Sequence, residues 1–331
     1  MENLIEIKGL RISTLRKKET VRLLDKVDLN IAPGECLGIV GESGCGKSIT
    51  ANSLMGLLPY PLSVTSGTAL FNSPKFSEVD LFSCPKEVMR QIRGSEISMI
   101  FQEPMTSLDP IFTVEDQMKE ALEFHFPNMS EKEKIKRCKD VLRQVNIPRI
   151  DQTLKSYPHQ LSGGQLQRIM IAIALINSPK LLIADEPTTA LDVTIQAQIL
   201  DLINTLQEEK GASVIMITHD LGVIAETSDR VAVFYSGHIV EEAPVAELFE
   251  KPAHPYTQGL LKSIYSLNLE GDTLFSIPGS VPLGGELKPH CRFYDRCEKR
   301  QDRCLKGLPA LVEIAPKHKC RCFLHSEEEE K

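Results

Sequence analysis

Short apolar runs rich in isoleucine and valine alternate with longer segments of helical hydrophobic period over residues 4–242. This alternation predicts an α/β fold with parallel strands, because such a sheet is covered by helices on both faces. The expected strands are residues 36–40, 97–101, 180–184, 213–217 and 230–234. Helices are expected in the intervals between them.

One stretch interrupts this rhythm with two successive helical patterns. Residues 114–124 have a helical period, and Ser130 with Glu133 forms a capping box for a second helix that ends near Val145. We therefore expect a helical subdomain, at about residues 105–160, inserted into the α/β core.

Composition narrows the classes of protein. The 331 residues are 42% hydrophobic and 25% charged, which is typical of a globular protein of about two domains. The net charge of −7 provides no basic surface for a phosphate backbone, so nucleic acid is not an expected partner. The longest apolar run, residues 169–176, is far shorter than the roughly 20 residues that cross a bilayer. The acidic N-terminus lacks a secretory signal pattern, so we expect a cytoplasmic location.

The cysteines divide the chain unevenly. Without a signal sequence, cysteines are more often free or metal-bound than paired in structural disulfides. Five of the nine crowd into the last part of the chain: Cys291, Cys297, Cys304, Cys320 and Cys322. Proline and glycine also become frequent after Tyr256, which predicts a small C-terminal extension. The acidic run 327–330 is expected to be a solvated tail.

Residues 41–48 match the pattern G-x-x-x-x-G-K-S between a predicted strand and a predicted helix. Glycines allow backbone N–H groups to turn inward around phosphate oxygens, and the helix N-terminus adds positive potential. Lys47 is then expected to reach the β- and γ-phosphates, and the Ser48 hydroxyl to bind Mg²⁺. A mere strand-to-helix turn is the alternative. The predicted nucleotide-binding residues here are Gly41, Glu42, Ser43, Gly44, Cys45, Gly46, Lys47, Ser48 and Ile49.

Two carboxylates, Asp185 and Glu186, end the apolar run 181–184. Ligands of α/β proteins bind at the carboxyl ends of strands. We interpret Asp185 as a Mg²⁺ ligand and Glu186 as the base that accepts a proton from the attacking water. Alternatively, the pair could cap the helix that follows.

Residues 161–165 form a second glycine-containing segment before a helical pattern. Free N–H groups at a helix start can hold a phosphate, but this segment has neither lysine nor carboxylate. It therefore resembles half of a site, which completes a nucleotide site on another subunit. A flexible hinge is the alternative. The residues concerned are Ser162, Gly163, Gly164 and Gln165.

Together these motifs resemble an ATP-binding-cassette ATPase over about 240 residues. Gln102, residues 190–192 and His219 occur in the same order as in that family. The resemblance implies a head-to-tail dimer with two ATP molecules sandwiched between the cassettes. It implies that Gln102 senses the γ-phosphate, joins Ser48 and Asp185 at Mg²⁺ and couples to the membrane partner. It also implies that Asp192 lies near the dimer interface and that His219 contacts the γ-phosphate.

Such cassettes usually stack adenine on an aromatic residue of the N-terminal sheet, yet residues 11–29 contain no aromatic residue. What holds adenine is therefore open, and so is selectivity for ATP over GTP. Cys45 is interpreted as a small filler of the loop, with an alkylation-sensitive thiol as the alternative.

Residues 101–110, 254–257 and 277–282 resemble the oligopeptide/dipeptide/nickel importer ATPases more closely than cassettes at large. The cysteine spacing also resembles that family's four-cysteine extension, which in several relatives carries a [4Fe–4S] cluster. The candidate ligands are Cys291, Cys297, Cys304 and Cys322, with Cys320 as an alternative fourth. Four thiolates equally suit Zn²⁺, and unligated thiols are the remaining alternative.

The resemblance implies an ATP-hydrolysing subunit of an importer for peptides or a related small solute. Residues 1–262 would form the nucleotide-binding domain and residues 263–331 the extension. Its implied partners are two integral membrane permeases, a second ATPase that differs from this chain and, indirectly, an extracytoplasmic solute-binding protein. It would then lie peripherally on the cytoplasmic face of the cell membrane. The alternatives are an efflux ATPase and a soluble cassette protein of ribosomes or DNA repair.

Overall fold

The computed structural model describes residues 3–16, 19–103, 107–188, 193–267, 275–282 and 287–325. Its strands are β1 (Ile5–Arg16), β2 (Glu19–Ile31), β3 (Cys36–Val40), β4 (Ser63–Phe71), β5 (Val79–Asp80), β6 (Ile97–Ile100), β7 (Leu181–Asp185), β8 (Ser213–Ile217), β9 (Arg230–Tyr235), β10 (His238–Pro244), β11 (Val312–Ala315) and β12 (His318–Cys320). Its α-helices are α1 (Lys47–Leu54), α2 (Lys86–Ile92), α3 (Val114–Glu123), α4 (Glu131–Gln144), α5 (Ile150–Leu154), α6 (Gly163–Leu175), α7 (Val193–Lys210), α8 (Leu221–Thr227), α9 (Val245–Glu250) and α10 (Pro255–Leu267).

The predicted α/β fold is confirmed. Within the described ranges, the larger sheet has the order β11-β12-β10-β9-β3-β8-β7-β6. The five strands from β9 to β6 are parallel and are the five that the hydrophobic pattern predicts. Every residue of β3, β6, β7 and β8 is buried, as expected for strands that are covered on both faces. The bounds of β3 and β8 match the prediction, and those of β6, β7 and β9 differ from it by one residue.

A second sheet, antiparallel and ordered β2-β1-β4-β5, covers one side of the core. The sequence analysis did not identify it, because its polar strands alternate irregularly and contain bulges between β1 and both of its neighbours. Its apolar residues Ile5, Ile7 and Leu10 are fully buried in the cluster that also contains Leu37 and Ile39 of β3.

The inserted helices lie where the sequence analysis expects them. Helices α3, α4 and α5 follow one another, and a 3₁₀ turn at Pro158–Gln160 precedes α6. Thr113 and Ser130 form capping boxes at the starts of α3 and α4. Their buried faces, including Met118 and Cys138, pack into the main core cluster.

The C-terminal segment joins the core more closely than its composition suggests. Strand β12 pairs with β10 and β11 pairs with β12, so the chain returns to extend the larger sheet. The fully buried carboxylate of Glu241 on β10 accepts hydrogen bonds from the backbone N–H groups of Ala253 (2.7 Å) and His254 (2.9 Å), and its Oε1 lies 2.8 Å from Nε2 of His318. In the part of the chain that the structure describes, every helix is too short or too polar to cross a bilayer.

Candidate nucleotide site

The loop between β3 and α1 depends on glycine at defined positions. Gly41, Gly44 and Gly46 have φ angles of 147°, 78° and 111°, a region that side-chain-bearing residues rarely adopt. A Cβ added to Gly41 would lie 2.3 Å from the backbone oxygen of Phe234, and one added to Gly46 would lie 2.3 Å from Leu24. The loop therefore packs tightly against β9 and β2, and a glycine-rich turn of this kind can present backbone N–H groups to phosphate.

The predicted phosphate and magnesium residues converge at this loop. The Lys47 ammonium donates to the carbonyl oxygens of Gly41 (2.7 Å) and Glu42 (3.1 Å). The Ser48 hydroxyl donates to Oδ1 of Asp185 at 3.1 Å, although the two residues are 137 positions apart. Burial raises the pKa of Asp185, and the hydrogen bond from Ser48 opposes this effect. A hydroxyl beside a carboxylate is a hard oxygen pair that suits Mg²⁺, whose other ligands are usually phosphates and water.

Glu186 lies at the centre of the expected catalytic group. Its Oε2 accepts a hydrogen bond from Nε2 of Gln102 at 3.2 Å, and its Oε1 lies 3.4 Å from Nδ1 of His219. The backbone of Glu186 has a φ of 50°, which costs about 1 kcal/mol for a residue with a side chain. Its N–H nevertheless bonds to the Ile217 carbonyl of β8. This backbone turn directs Glu186 away from the buried strand that ends at Asp185.

Most of the predicted nucleotide-site residues line one cavity of about 230 Å³. Its lining residues are Gly41, Glu42, Ser43, Gly44, Gly46, Lys47, Ser48, Ile49, Gln102, Glu186 and His219. Asp185 and Cys45 are buried behind this surface, with 4% and 1% of their areas exposed. Burial raises the pKa of the Cys45 thiol, which keeps it protonated.

The segment 161–165 does not line this cavity. Ser162 caps α6, since its hydroxyl accepts the N–H of Gln165 while the Gln165 side chain accepts the N–H of Ser162. Gly163 is exposed at the helix start. The buried Gln167 links this helix to the main site through a hydrogen bond to the carbonyl of Pro187. Asp192, predicted at the dimer interface, lies outside the described residues.

Two residues that the sequence analysis did not assign hold the loop at Glu42. The N–H of Glu42 donates to the hydroxyl of Tyr256 at 2.9 Å. Its carboxylate accepts two hydrogen bonds from the guanidinium of Arg296, at 2.6 and 3.0 Å. Tyr256 belongs to the 254–257 motif and Arg296 lies between two of the clustered cysteines, but neither position reveals from sequence which residue it contacts.

Three of the C-terminal thiols lie close enough to Cys291 to contribute, after burial, to the raised pKa of its thiol: Cys297, Cys304 and Cys322. Burial raises the pKa of Cys291 to about 12 and also raises the pKa of Cys297 and Cys322. Cys320 lies beside Glu241 in the buried junction of β10 and β12, and its neighbour among the clustered thiols is Cys322. Among the residues described, no three Cys, His, Asp or Glu side chains are arranged to hold a metal ion.

Two family models match parts of this chain, and similar proteins align with nearly all of it. The family model described as "ABC transporter" matches residues 24–189, and that described as "Oligopeptide/dipeptide transporter, C-terminal region" matches residues 240–304. The oligopeptide transport ATP-binding protein AppD of Bacillus subtilis is 49% identical over 328 residues, which cover 99% of this chain and 98% of that protein. The dipeptide transport ATP-binding protein DppD of the same organism is 46% identical over 331 residues, covering 100% and 97%.

A similar solved structure is the ATP-binding cassette MJ0796, as a dimer in a post-hydrolysis state with ADP and phosphate. It superposes with a TM-score of 0.65 at 30% sequence identity, covering 73% of this chain and 98% of that one.

Proposed function

This chain belongs to the ABC transporter family, and on that basis we propose that it is the ATP-hydrolysing subunit of an importer for dipeptides, oligopeptides or a related small solute. As a member of this family it is an ATPase that uses ATP and Mg²⁺. The observation that carries the proposal is the joint placement of Lys47, Ser48 and Glu186 on one cavity. The assignment to import of peptides rests on the relatives, which are named for oligopeptide and dipeptide transport.

The geometry supports a specific division of roles. Lys47 and the N–H groups of the loop would hold the phosphates, while Ser48 and Asp185 would hold Mg²⁺, which neutralises charge on the phosphate oxygens. Glu186 would accept the proton of the attacking water, with Gln102 and His219 orienting its carboxylate. A preorganised base of this kind contributes roughly 10²- to 10⁴-fold to a rate.

The separate location of residues 161–165 supports pairing with another ATPase. The exposed start of α6 would complete the γ-phosphate site of a partner cassette, and the partner's corresponding segment would complete the cavity at Glu186. The dimeric state of the similar cassette MJ0796 supports this arrangement. We propose a different ATPase as the partner, as the importer resemblance implies.

A groove of about 690 Å³ between the inserted helices and the core supports contact with the membrane permeases. Its rim carries half-exposed aromatic residues, Phe101, Phe112 and Phe124, and its floor includes Met170 and Ile173 of α6. Phe101 directly precedes Gln102, so a permease segment in this groove would adjoin the catalytic cavity. The chain would then lie on the cytoplasmic face of the cell membrane, with a solute-binding protein on the other side.

We also propose two units, a nucleotide-binding domain at residues 1–262 with the helical subdomain at about 105–160, and an extension at residues 263–331. The match of the C-terminal family model to residues 240–304 supports an extension of the importer type. Its strands pair with the domain's own sheet, so the extension would not fold alone.

For the extension we propose a [4Fe–4S] cluster on Cys291, Cys297, Cys304 and Cys322, with Zn²⁺ or free thiols as alternatives. The proximity of these thiols to Cys291 supports this set. Cys322 is favoured over Cys320 as the fourth ligand because, after burial, Cys297 and Cys304 contribute to its raised pKa, whereas Glu241 and Cys322 contribute to that of Cys320. A four-iron cluster separates its ligand sulfurs more widely than one metal ion does. The protein purified without oxygen should contain four iron and four sulfide per chain. Cys322→Ser should lose them and Cys320→Ser should keep them; zinc or no metal in the wild type would reject the cluster.

The importer assignment is tested by affinity purification from native membranes under anaerobic conditions, followed by mass spectrometry. Recovery of two multi-span permeases and a second cassette is expected. Recovery of ribosomal or nucleic-acid-associated proteins without a membrane subunit would contradict the proposal, and an associated export channel would favour an efflux ATPase.

A further inference from the structure

The residue Glu42 is the most firmly held point of the phosphate-binding loop. Its N–H donates to Tyr256, its carbonyl accepts from Lys47, and its carboxylate accepts both hydrogen bonds from Arg296. All three polar groups of this residue are therefore fixed. Two of the three contacts come from the C-terminal quarter of the chain, more than 200 positions away in sequence.

Other contacts besides Glu42 hold the Arg296 side chain in place. Its Nε donates to the carbonyl of Pro278 at 2.9 Å and one terminal nitrogen contacts the carbonyl of Ile277 at 3.3 Å. Its guanidinium carbon lies 5.9 Å from the ring centre of Tyr235, and only 5% of the side chain is exposed. The paired hydrogen bonds to Glu42 raise the pKa of Arg296. A guanidinium fixed in this way loses little conformational freedom when it binds a carboxylate.

Aromatic packing joins the extension to both elements beneath the loop. The rings of Tyr235, Tyr256 and Phe293 contact one another with centroid separations of 4.6 to 5.5 Å. Tyr235 ends β9, Tyr256 is the second residue of α10, and Phe293 lies three residues before Arg296. The backbone that carries Arg296 is thus fixed against the same elements that carry the hydroxyl for Glu42.

The extension also fixes Arg296 from its other side. Arg296 ends the 3₁₀ turn Tyr294–Arg296, between Cys291 and Cys297. The N–H of Cys291 donates to the carbonyl of Cys304 at 3.0 Å, and the N–H of Cys297 donates to the carbonyl of Tyr294 at 3.3 Å. The position of the guanidinium is therefore coupled to the folded state of this cysteine-bearing segment.

We propose that Arg296 is a positioning residue of the nucleotide site, through which the C-terminal extension sets the affinity of the phosphate-binding loop for ATP. This inference rests on the proposed ATPase function. Phosphate N–H contacts are sensitive to shifts of about 0.5 Å, and Glu42 lies between Gly41 and Gly44, whose backbone forms the cradle. Arg296 donates its hydrogen bonds to Glu42, Pro278 and Ile277, so we expect it to affect binding and not the chemical step.

The test uses the full chain and compares wild type, Arg296→Gln, Arg296→Lys and Glu42→Gln. The measurements are the Kd for a fluorescent ADP analogue and the KM and kcat for ATP. Arg296→Gln should raise Kd and KM roughly tenfold, about 1.4 kcal/mol, with kcat changed less than twofold. Arg296→Lys should give an intermediate Kd, because lysine keeps the charge but cannot make the paired contact. Arg300→Gln, an exposed arginine of the same segment, is the matched control and should leave all three values unchanged.

A double-variant cycle identifies the route. If Arg296 acts through Glu42, adding Arg296→Gln to Glu42→Gln should raise Kd little further. Wild-type Kd in Arg296→Gln, or fully additive effects in the double variant, would overturn the inference. If Arg296→Gln does not fold, the Kd of Glu42→Gln is the test, because this variant leaves the contacts of Arg296 with Pro278 and Ile277 intact. An unchanged Kd in Glu42→Gln would then overturn the inference. A wild-type chain that binds no nucleotide would instead reject the proposed function.

Discussion

The phosphate-binding loop is held from two sides that differ in origin. On the core side, Lys47 and Ser48 begin α1 after β3, and Glu186 follows β7; their proposed roles are charge, a metal ligand and a base. On the C-terminal side, Tyr256 of α10 and Arg296 of the extension supply no reacting group and hydrogen-bond to the loop at Glu42. The core side carries the proposed reacting groups, and the C-terminal side positions the loop. Substitutions on the core side should therefore change kcat, and substitutions on the C-terminal side should change Kd.

The largest effect is expected at the base on the core side. Glu186→Gln removes the proton acceptor but keeps an oxygen for the contact with Gln102 or His219. We expect kcat to fall on the order of 10³-fold with little change in ATP affinity. A phosphate-release assay measures kcat, and a nucleotide-binding assay measures the affinity for ATP. Glu226→Gln, an exposed carboxylate of α8, is the control and should retain full turnover. Wild-type kcat in Glu186→Gln would remove this residue from the role of base.

A steric substitution in the loop should abolish binding itself. The Cβ of Gly41→Ala would meet the Phe234 oxygen at 2.3 Å; this oxygen belongs to the backbone of β9, and the Cβ position is set by the loop backbone, so neither can easily move. We expect nucleotide affinity to fall on the order of 100-fold. Gly34→Ala is matched to it, with a φ of 75° but open space around the new Cβ, and should cost only about 1 kcal/mol of folding free energy without affecting Kd. Equal nucleotide Kd values for the two variants would contradict this packing argument.

The C-terminal side should be sensitive to acid. Burial lowers the pKa of His254 to about 3, and its Nδ1 accepts the N–H of Tyr256. Because the folded pKa lies below the ordinary value of about 6.5, the unfolded chain binds the extra proton between these values. The contribution of His254 to the free energy of unfolding is therefore fully present above pH 6.5. It decreases as the pH falls towards 3, and up to about 2 kcal/mol is lost at pH 5.

His254→Asn keeps an acceptor for Tyr256 but cannot take up a proton. Urea unfolding at pH 7.5 and pH 5 should give a smaller loss of stability in this variant than in the wild type. Parallel losses in the two proteins would assign the acid sensitivity to other groups, such as the buried His238, whose pKa burial also lowers.

The smallest effect is expected at the Tyr256 hydroxyl. Tyr256→Phe preserves the ring packing but leaves the N–H of Glu42 without its acceptor, which costs about 1 kcal/mol. We expect Kd for ATP to rise roughly fivefold at unchanged kcat. Tyr294→Phe, a tyrosine of the extension whose ring packs against His290 and Arg300, is the control. A change in kcat alone would contradict the division between chemistry and placement.

The sequence determined the fold class, the five parallel strands and the motifs of the core side. Each motif is local: glycine spacing at 41–46 encodes a backbone shape, and the carboxylates at 185–186 follow a strand that must be buried. Strand order then brings Ser48 to Asp185 and Gln102 to Glu186, since parallel strands present their carboxyl ends at one edge of the sheet.

Only the tertiary structure decided what holds the loop from the other side. Nothing in the local pattern distinguishes Arg296 from the other arginines near the cysteines, and the Tyr256 hydroxyl has no partner within its own motif. Their roles follow from long-range packing, in which β12 joins β10 and Phe293 meets Tyr235 and Tyr256. The return of the extension onto the sheet brings the Arg296 guanidinium to Glu42 and so makes the extension part of the nucleotide site.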